Sequence, residues 1–133
     1  MNPPETSRHI SVVIARPVGD VYDFVVDPAN LARWASGLSS STELIDGRWY
    51  ADSPMGRIEV SFAPRNEFGV LDHDVTAPSG QVFVNPMRVI AHPSGSEVVF
   101  TIQPQPGVAP ETVDADAATV AADLITLRTL LEA

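Results

Sequence analysis

The sequence predicts an α+β fold in which a curved antiparallel sheet of six to seven strands wraps around one long C-terminal helix, with two short helices after the first strand. Three observations predict it. A period-2 apolar row opens the chain, turn residues at hairpin distances divide its middle, and an apolar repeat at spacings of four and three closes it. The closing helix carries one wide apolar stripe and has only the sheet to bury it against, so a sheet that curves to grip that helix is the economical packing.

The elements follow in order. Residues 8 to 16 alternate, with Ile10, Val12 and Ile14 on one face and His9, Ser11, Val13 and Ala15 on the other, the pattern of a β-branched strand. Arg16-Pro17 breaks it. Val21, Phe24 and Val25 then recur at helical spacing as far as Asp27-Pro28, where Asp caps a second short helix, Pro takes its first turn, and Leu31 and Trp34 share one face before Gly37. From Ser39 to Gln105 the turn signals Asp46-Gly47, Pro54-Met55-Gly56, Asn66, Pro78-Ser79-Gly80 and Pro93-Ser94-Gly95 separate strands near 40–45, 48–52, 57–64, 67–76, 81–91 and 96–104. Sequential hairpins make the sheet mostly antiparallel. After a Pro/Gly linker from Pro104 to Pro110, Val113, Ala117, Val120, Leu124, Leu127 and Leu131 mark a helix over 112–132.

A chain of 133 residues reads as one domain, 1–133, large enough to bury about two thirds of its unfolded surface, with residues 1–7 expected to be a flexible N-terminus. The composition is 44% hydrophobic and 19% charged, which excludes disorder throughout, and 12 Pro with 8 Gly predict many turns. All eight basic residues are Arg, against 17 acidic ones, for a net charge of −9. Nucleic acid and anionic membrane surfaces are therefore poor partners. The absence of Cys excludes disulfides, thiolate metal sites and a Cys nucleophile. Met1 to Ser7 has no apolar h-region and no apolar run reaches the length of a membrane span, so no membrane insertion and a cytoplasmic location are the expectation. Monomer and homodimer both remain open.

The segments Arg16-Pro17-Val18-Gly19-Asp20-Val21-Tyr22-Asp23-Phe24 and Asp27-Pro28-Ala29-Asn30-Leu31-Ala32-Arg33-Trp34 carry a family resemblance. Phe68-Gly69-Val70-Leu71-Asp72-His73, Asn85-Pro86-Met87-Arg88-Val89 and Ala122-Asp123-Leu124-Ile125-Thr126-Leu127-Arg128 extend it over essentially the whole chain. In these segments the sequence resembles the helix-grip superfamily of START-like (SRPBCC, Bet v 1-like) proteins, which includes polyketide cyclases, plant pathogenesis-related proteins and lipid-transfer domains. The resemblance implies a deep, mostly apolar pocket between the last helix and the sheet for a small hydrophobic or aromatic molecule. It supplies no fixed catalytic signature, because that scaffold hosts catalysis, carriage and sensing.

His9, His73 and His92 lie on different strands without metal-ligand spacing, no Gly-x-Ser-x-Gly elbow occurs, and phosphate-binding glycine loops are absent, so no cofactor or metal is expected. His73 is the most informative polar residue, since alternation places it on the face of Leu71 and Val75. It is either a core histidine satisfied by backbone or carboxylate, or a ligand-binding or catalytic group. Asp72 and Asp74 fall on the other face as solvated charges if the strand is regular; a bulge would reverse this. Tyr22, Trp34, Trp49, Phe83 and Phe100 supply the bulky aromatic surface that would either fill the core or wall a cavity. Arg57 alternates with Glu59 against Ile58, Val60 and Phe62 and belongs on the solvent face. Arg88 is a candidate for a ligand anion, its side left open by the disturbance at Pro86.

Two functions are expected to compete. One is a small-molecule binder, with aldol cyclisation or dehydration as the chemistry that resemblance to polyketide cyclases implies and His73 as the acid-base residue. The other is a protein-interaction or stress-related module on the same fold, which an exposed apolar patch would favour.

Overall fold

The structure, a computed structural model, describes residues 6–35 and 41–133. The chain runs β1 (Arg8–Ile14), α1 (Val18–Val25), a 3-10 turn (Pro28–Asn30) leading into α2 (Leu31–Trp34), then β2 (Ser41–Ile45), β3 (Arg48–Ser53) and β4 (Gly56–Phe62). It continues with β5 (His73–Thr76), β6 (Val82–Asn85), β7 (Met87–His92), β8 (Gly95–Ile102) and α3 (Pro110–Glu132). All strand pairs are antiparallel, in the orders β2-β3-β4-β5-β6 and β1-β8-β7. This is the helix-grip arrangement, with α3 packed along β1 and β8 and against α2.

Two of the expected strands are each interrupted. The run 81–91 is cut by Pro86, which has no N–H for the ladder and divides it into β6 on one sheet and β7 on the other. The run 67–76 is regular only from His73 onward, but its earlier part still meets β7: Leu71 N donates to the Met87 carbonyl at 2.9 Å and Val89 N to the Gly69 carbonyl at 3.0 Å. The two sheets are therefore stitched at the paired breaks. Asp72 fills the gap in the ladder, because its Oδ1 accepts the Met87 N–H at 2.8 Å and also pairs with Arg88. Asp72 is thus a structural acceptor, where regular alternation made it a solvated charge.

Gly69 is required at this junction. It has φ +73°, and a Cβ there would sit 2.1 Å from the Val89 carbonyl oxygen. The Asp46-Gly47 turn has positive φ at both residues, 51° and 79°, the type I′ geometry expected for that dipeptide. Asp27 accepts the Ala29 N–H through Oδ1 at 3.0 Å, with Pro28 in the first turn, as the sequence implied. Pro110 begins α3 two residues ahead of the expected start, since Pro at the first helical position costs no hydrogen bond. Of the expected flexible segment 1–7, residues 1–5 lie outside the described residues; so do the end of the second helix at 36 and the start of the strand at 40.

The inner face is continuous across both sheets. Ile10, Val12 and Ile14 stand opposite Phe100, Val98 and Ser96, and Met87 and Val89 complete that row. On the larger sheet the rows Phe62–His73–Asn85 and Trp49–Val60–Val75–Phe83 cross the strands. Ile14, Val21, Val25, Leu31, Ile58, Leu71, Met87, Val98, Leu124 and Leu127 are at most 1% exposed and form the centre of the core.

Candidate functional site

Between α3 and the inner face lies a cavity of about 430 Å³. Trp34 and Ala35 from α2 and its C-cap, His73 and Val75 from β5, Phe83 and Asn85 from β6, and Phe100 and Ile102 from β8 form its walls. Asp116, Thr119, Val120 and Asp123 line it from α3, and Pro54 and Met55 from the β3–β4 turn. The deep part is buried, whereas Pro54, Met55, Asp116 and Thr119 are exposed and mark the mouth. The cavity exists because one face of α3 changes character along its length. Asp116, Val120 and Asp123 precede Leu127 on one stripe, and the short side chains of the first half leave space that the leucines of the second half fill.

His73 is 2% exposed. Its Nδ1 lies 3.0 Å from the Leu71 carbonyl oxygen, which can only accept, so Nδ1 carries the ring proton and Nε2 keeps its lone pair. The ring packs on Phe62 at 4.8 Å between centroids and meets Phe100 edge-on at 5.9 Å. Burial pushes its proton affinity below the ordinary histidine value, opposed by the Leu71 hydrogen bond and the charges of Asp72 and Asp74. At neutral pH the ring is an uncharged acceptor in the cavity wall.

Trp34 is 3% exposed, and its indole N–H has no hydrogen-bond partner among the described residues. An unmatched buried donor of this kind carries a desolvation cost. Asp123, 7% exposed, adds a buried carboxyl from α3. Among the described residues no three His, Asp or Glu side chains are grouped to hold a metal ion.

The cavity thus brings together four of the residues singled out in the sequence, Trp34, His73, Phe83 and Phe100, and leaves three outside. Tyr22 is a core residue of α1, where its hydroxyl accepts the Asn66 N–H at 2.9 Å and Arg65 stacks on its ring. Trp49 faces inward, paired with Val60, but lines a separate depression of about 520 Å³ with Pro28 and Phe62. Arg88 lies on the outer face, since β7 alternates regularly from Met87 despite Pro86, and is held by Asp72. Arg57 is on the solvent face with Glu43 and Asp52, as alternation implied.

Asp116, Thr119, Asp123 and Asn85 were not singled out as site residues. Asp123 did leave a signal: three residues after Val120 and four before Leu127, it is an acid on the apolar stripe of α3.

No family model and no curated protein sequence matches this chain. Solved structures do. The protein XoxI from Bacillus cereus superposes with a TM-score of 0.71 at 16% identity, over 96% of this chain and 94% of that one. Ara h 8.0201 gives 0.67 at 11% identity, covering 96% and 98%. DynU16, a protein in the dynemicin biosynthetic locus, gives 0.72 at 18% identity over 97% of this chain and 48% of that one, so this chain spans about half its length. At these identities the shared property is the helix-grip fold.

Proposed function

We propose that this protein binds a small, largely apolar and flat molecule in the cavity between α3 and the sheet. The observation that carries the reading is the cavity itself, about 430 Å³ and walled by Trp34, Phe83 and Phe100 with a few polar groups at fixed places. Packed cores leave few spaces larger than a water molecule, so an apolar pocket of this size that opens at a polar mouth and has the unmatched His73 Nε2 in its wall suits an occupant. Among the described residues no helix is long and apolar enough to cross a membrane. Native mass spectrometry of protein purified from its own host tests the reading, with a co-purifying small molecule as the expected result. No such species, together with no saturable tryptophan fluorescence change over flavonoids, naphthols, fatty acids and a neutral apolar dye, would overturn it.

A cyclase- or dehydratase-like reaction is a finer form of the same proposal. Its candidate acid-base group is His73, whose neutral Nε2 would take a proton from an acidic C–H or O–H of a bound chain. On that form His73→Gln lowers turnover by roughly 10²- to 10⁴-fold with the fold unchanged.

A further inference from the structure

From the polar groups that line the cavity we infer that it selects its ligand by charge and by hydrogen-bond polarity: it takes an uncharged molecule that donates one O–H or N–H to His73, and it turns away carboxylates and sulfonates. The inference rests on the binding reading above and deepens it.

The acceptor is His73 Nε2. The Leu71 carbonyl fixes the tautomer by taking the Nδ1 proton, and Nε2 has no protein partner among the described residues. A ligand hydroxyl can satisfy it, whereas an ether or carboxylate oxygen at the same place would oppose lone pair to lone pair. One unmatched acceptor on the wall defines a ligand with a donor at that point.

Charge decides the rest. Among the described residues the ionisable groups lining the cavity are His73, Asp116 and Asp123. None of the eight Arg lines it, and the chain has no Lys. Arg8, Arg16, Arg48, Arg57, Arg65 and Arg88 are paired with carboxylates elsewhere. An anion entering the cavity would lose water without gaining a cation, and it would meet two acidic side chains on α3.

The test uses one apolar body with three substituents, 2-naphthol, 2-methoxynaphthalene and 2-naphthoate, titrated at pH 7 against the intact protein by calorimetry, with displacement of the neutral dye Nile red as a second readout. The expected order is naphthol tightest, the ether weaker by about three- to tenfold for the lost donor, and naphthoate weaker than naphthol by at least about tenfold. His73→Phe should bring the naphthol and ether affinities together. Asp116→Asn, a substitution on the exposed side of α3, should improve naphthoate selectively. Should His73→Phe fail to fold, the order of the three probes on the wild-type protein and the effect of Asp116→Asn still decide the inference. Equal binding of all three probes, or tightest binding of naphthoate, overturns the inference while the binding reading stands. Failure of every probe and of Nile red overturns both.

Discussion

The two halves of α3 are one helix doing two jobs. Its second half carries Leu124, Leu127 and Leu131, all buried, and it is fastened at the end: Arg16 donates to the Leu131 carbonyl at 2.8 Å and Ala15 N to Glu132 Oε2 at 2.8 Å. Its first half presents Asp116, Thr119 and Val120 to the cavity and is largely exposed. What differs is side-chain volume and polarity on a single stripe. Stability is therefore concentrated where the stripe is leucine, and the room for a ligand lies where it is not.

The largest expected effect breaks the packed half. Leu127→Ala removes a fully buried side chain at the centre of the core and should lower stability by about 2–5 kcal/mol, with Leu124→Ala in the same range. Urea unfolding measures it. Val120→Ala, a partly buried site in the other half, should cost less than about 1.5 kcal/mol and act on ligand affinity instead. Equal destabilisation by the two substitutions would erase the contrast between the halves.

A smaller effect reads the cavity through pH. The folded His73 ring binds a proton less readily than the unfolded one, because burial penalises its charged form. Near and below the ordinary histidine pKa of ~6.5 the unfolded chain takes up a proton that the folded one refuses. Its contribution to stability is thus complete above that pH and is lost as pH falls through it, until the folded ring protonates as well. The slope from this one group is at most about 1.4 kcal/mol per pH unit, and it should vanish in His73→Phe. Asp72 and Asp74 flank the ring, while Asp116 and Asp123 line the same cavity, so the difference between wild type and variant isolates the histidine. Parallel pH curves for the two proteins would show that the ring titrates alike folded and unfolded.

The sequence was most legible where a period ran unbroken. The row Ile10, Val12, Ile14 and the leucines of α3 fall where alternation and helical spacing place them, and so does His73 on the inner face. Legibility failed at breaks. Pro86 announced a disturbance, but the repair, an Asp72 carboxylate accepting the Met87 N–H, depends on which strand lies alongside, and no local pattern encodes a partner fifteen residues away. Arg88 followed the same logic: its side was fixed by the restart of alternation after Pro86. The site was half legible. Aromatic residue type identified Trp34, Phe83 and Phe100 as wall material, yet the same reasoning selected Tyr22 and Trp49, because residue type alone does not distinguish a core from a cavity.

The smallest effect separates the two tryptophans. Trp34 lines the cavity, whereas Trp49 lies in the depression beside Pro28 and Phe62, although both rings face the inner side of the molecule. A ligand in the cavity touches the first indole and not the second. In Trp49→Phe protein, where Trp34 is the sole tryptophan, saturable quenching by a bound naphthol should persist with Kd within about twofold of wild type, since no contact to the ligand is lost. In Trp34→Phe protein the remaining Trp49 emission should be nearly unresponsive to the same ligand, even where calorimetry still detects binding. The pairing of unchanged affinity with lost signal is informative, because a general loosening of the fold would change both indoles together. Quenching carried by Trp49 instead would place the ligand at the far end of the inner face, against the 3-10 turn at Pro28–Asn30, and would move the binding half of the molecule away from α3.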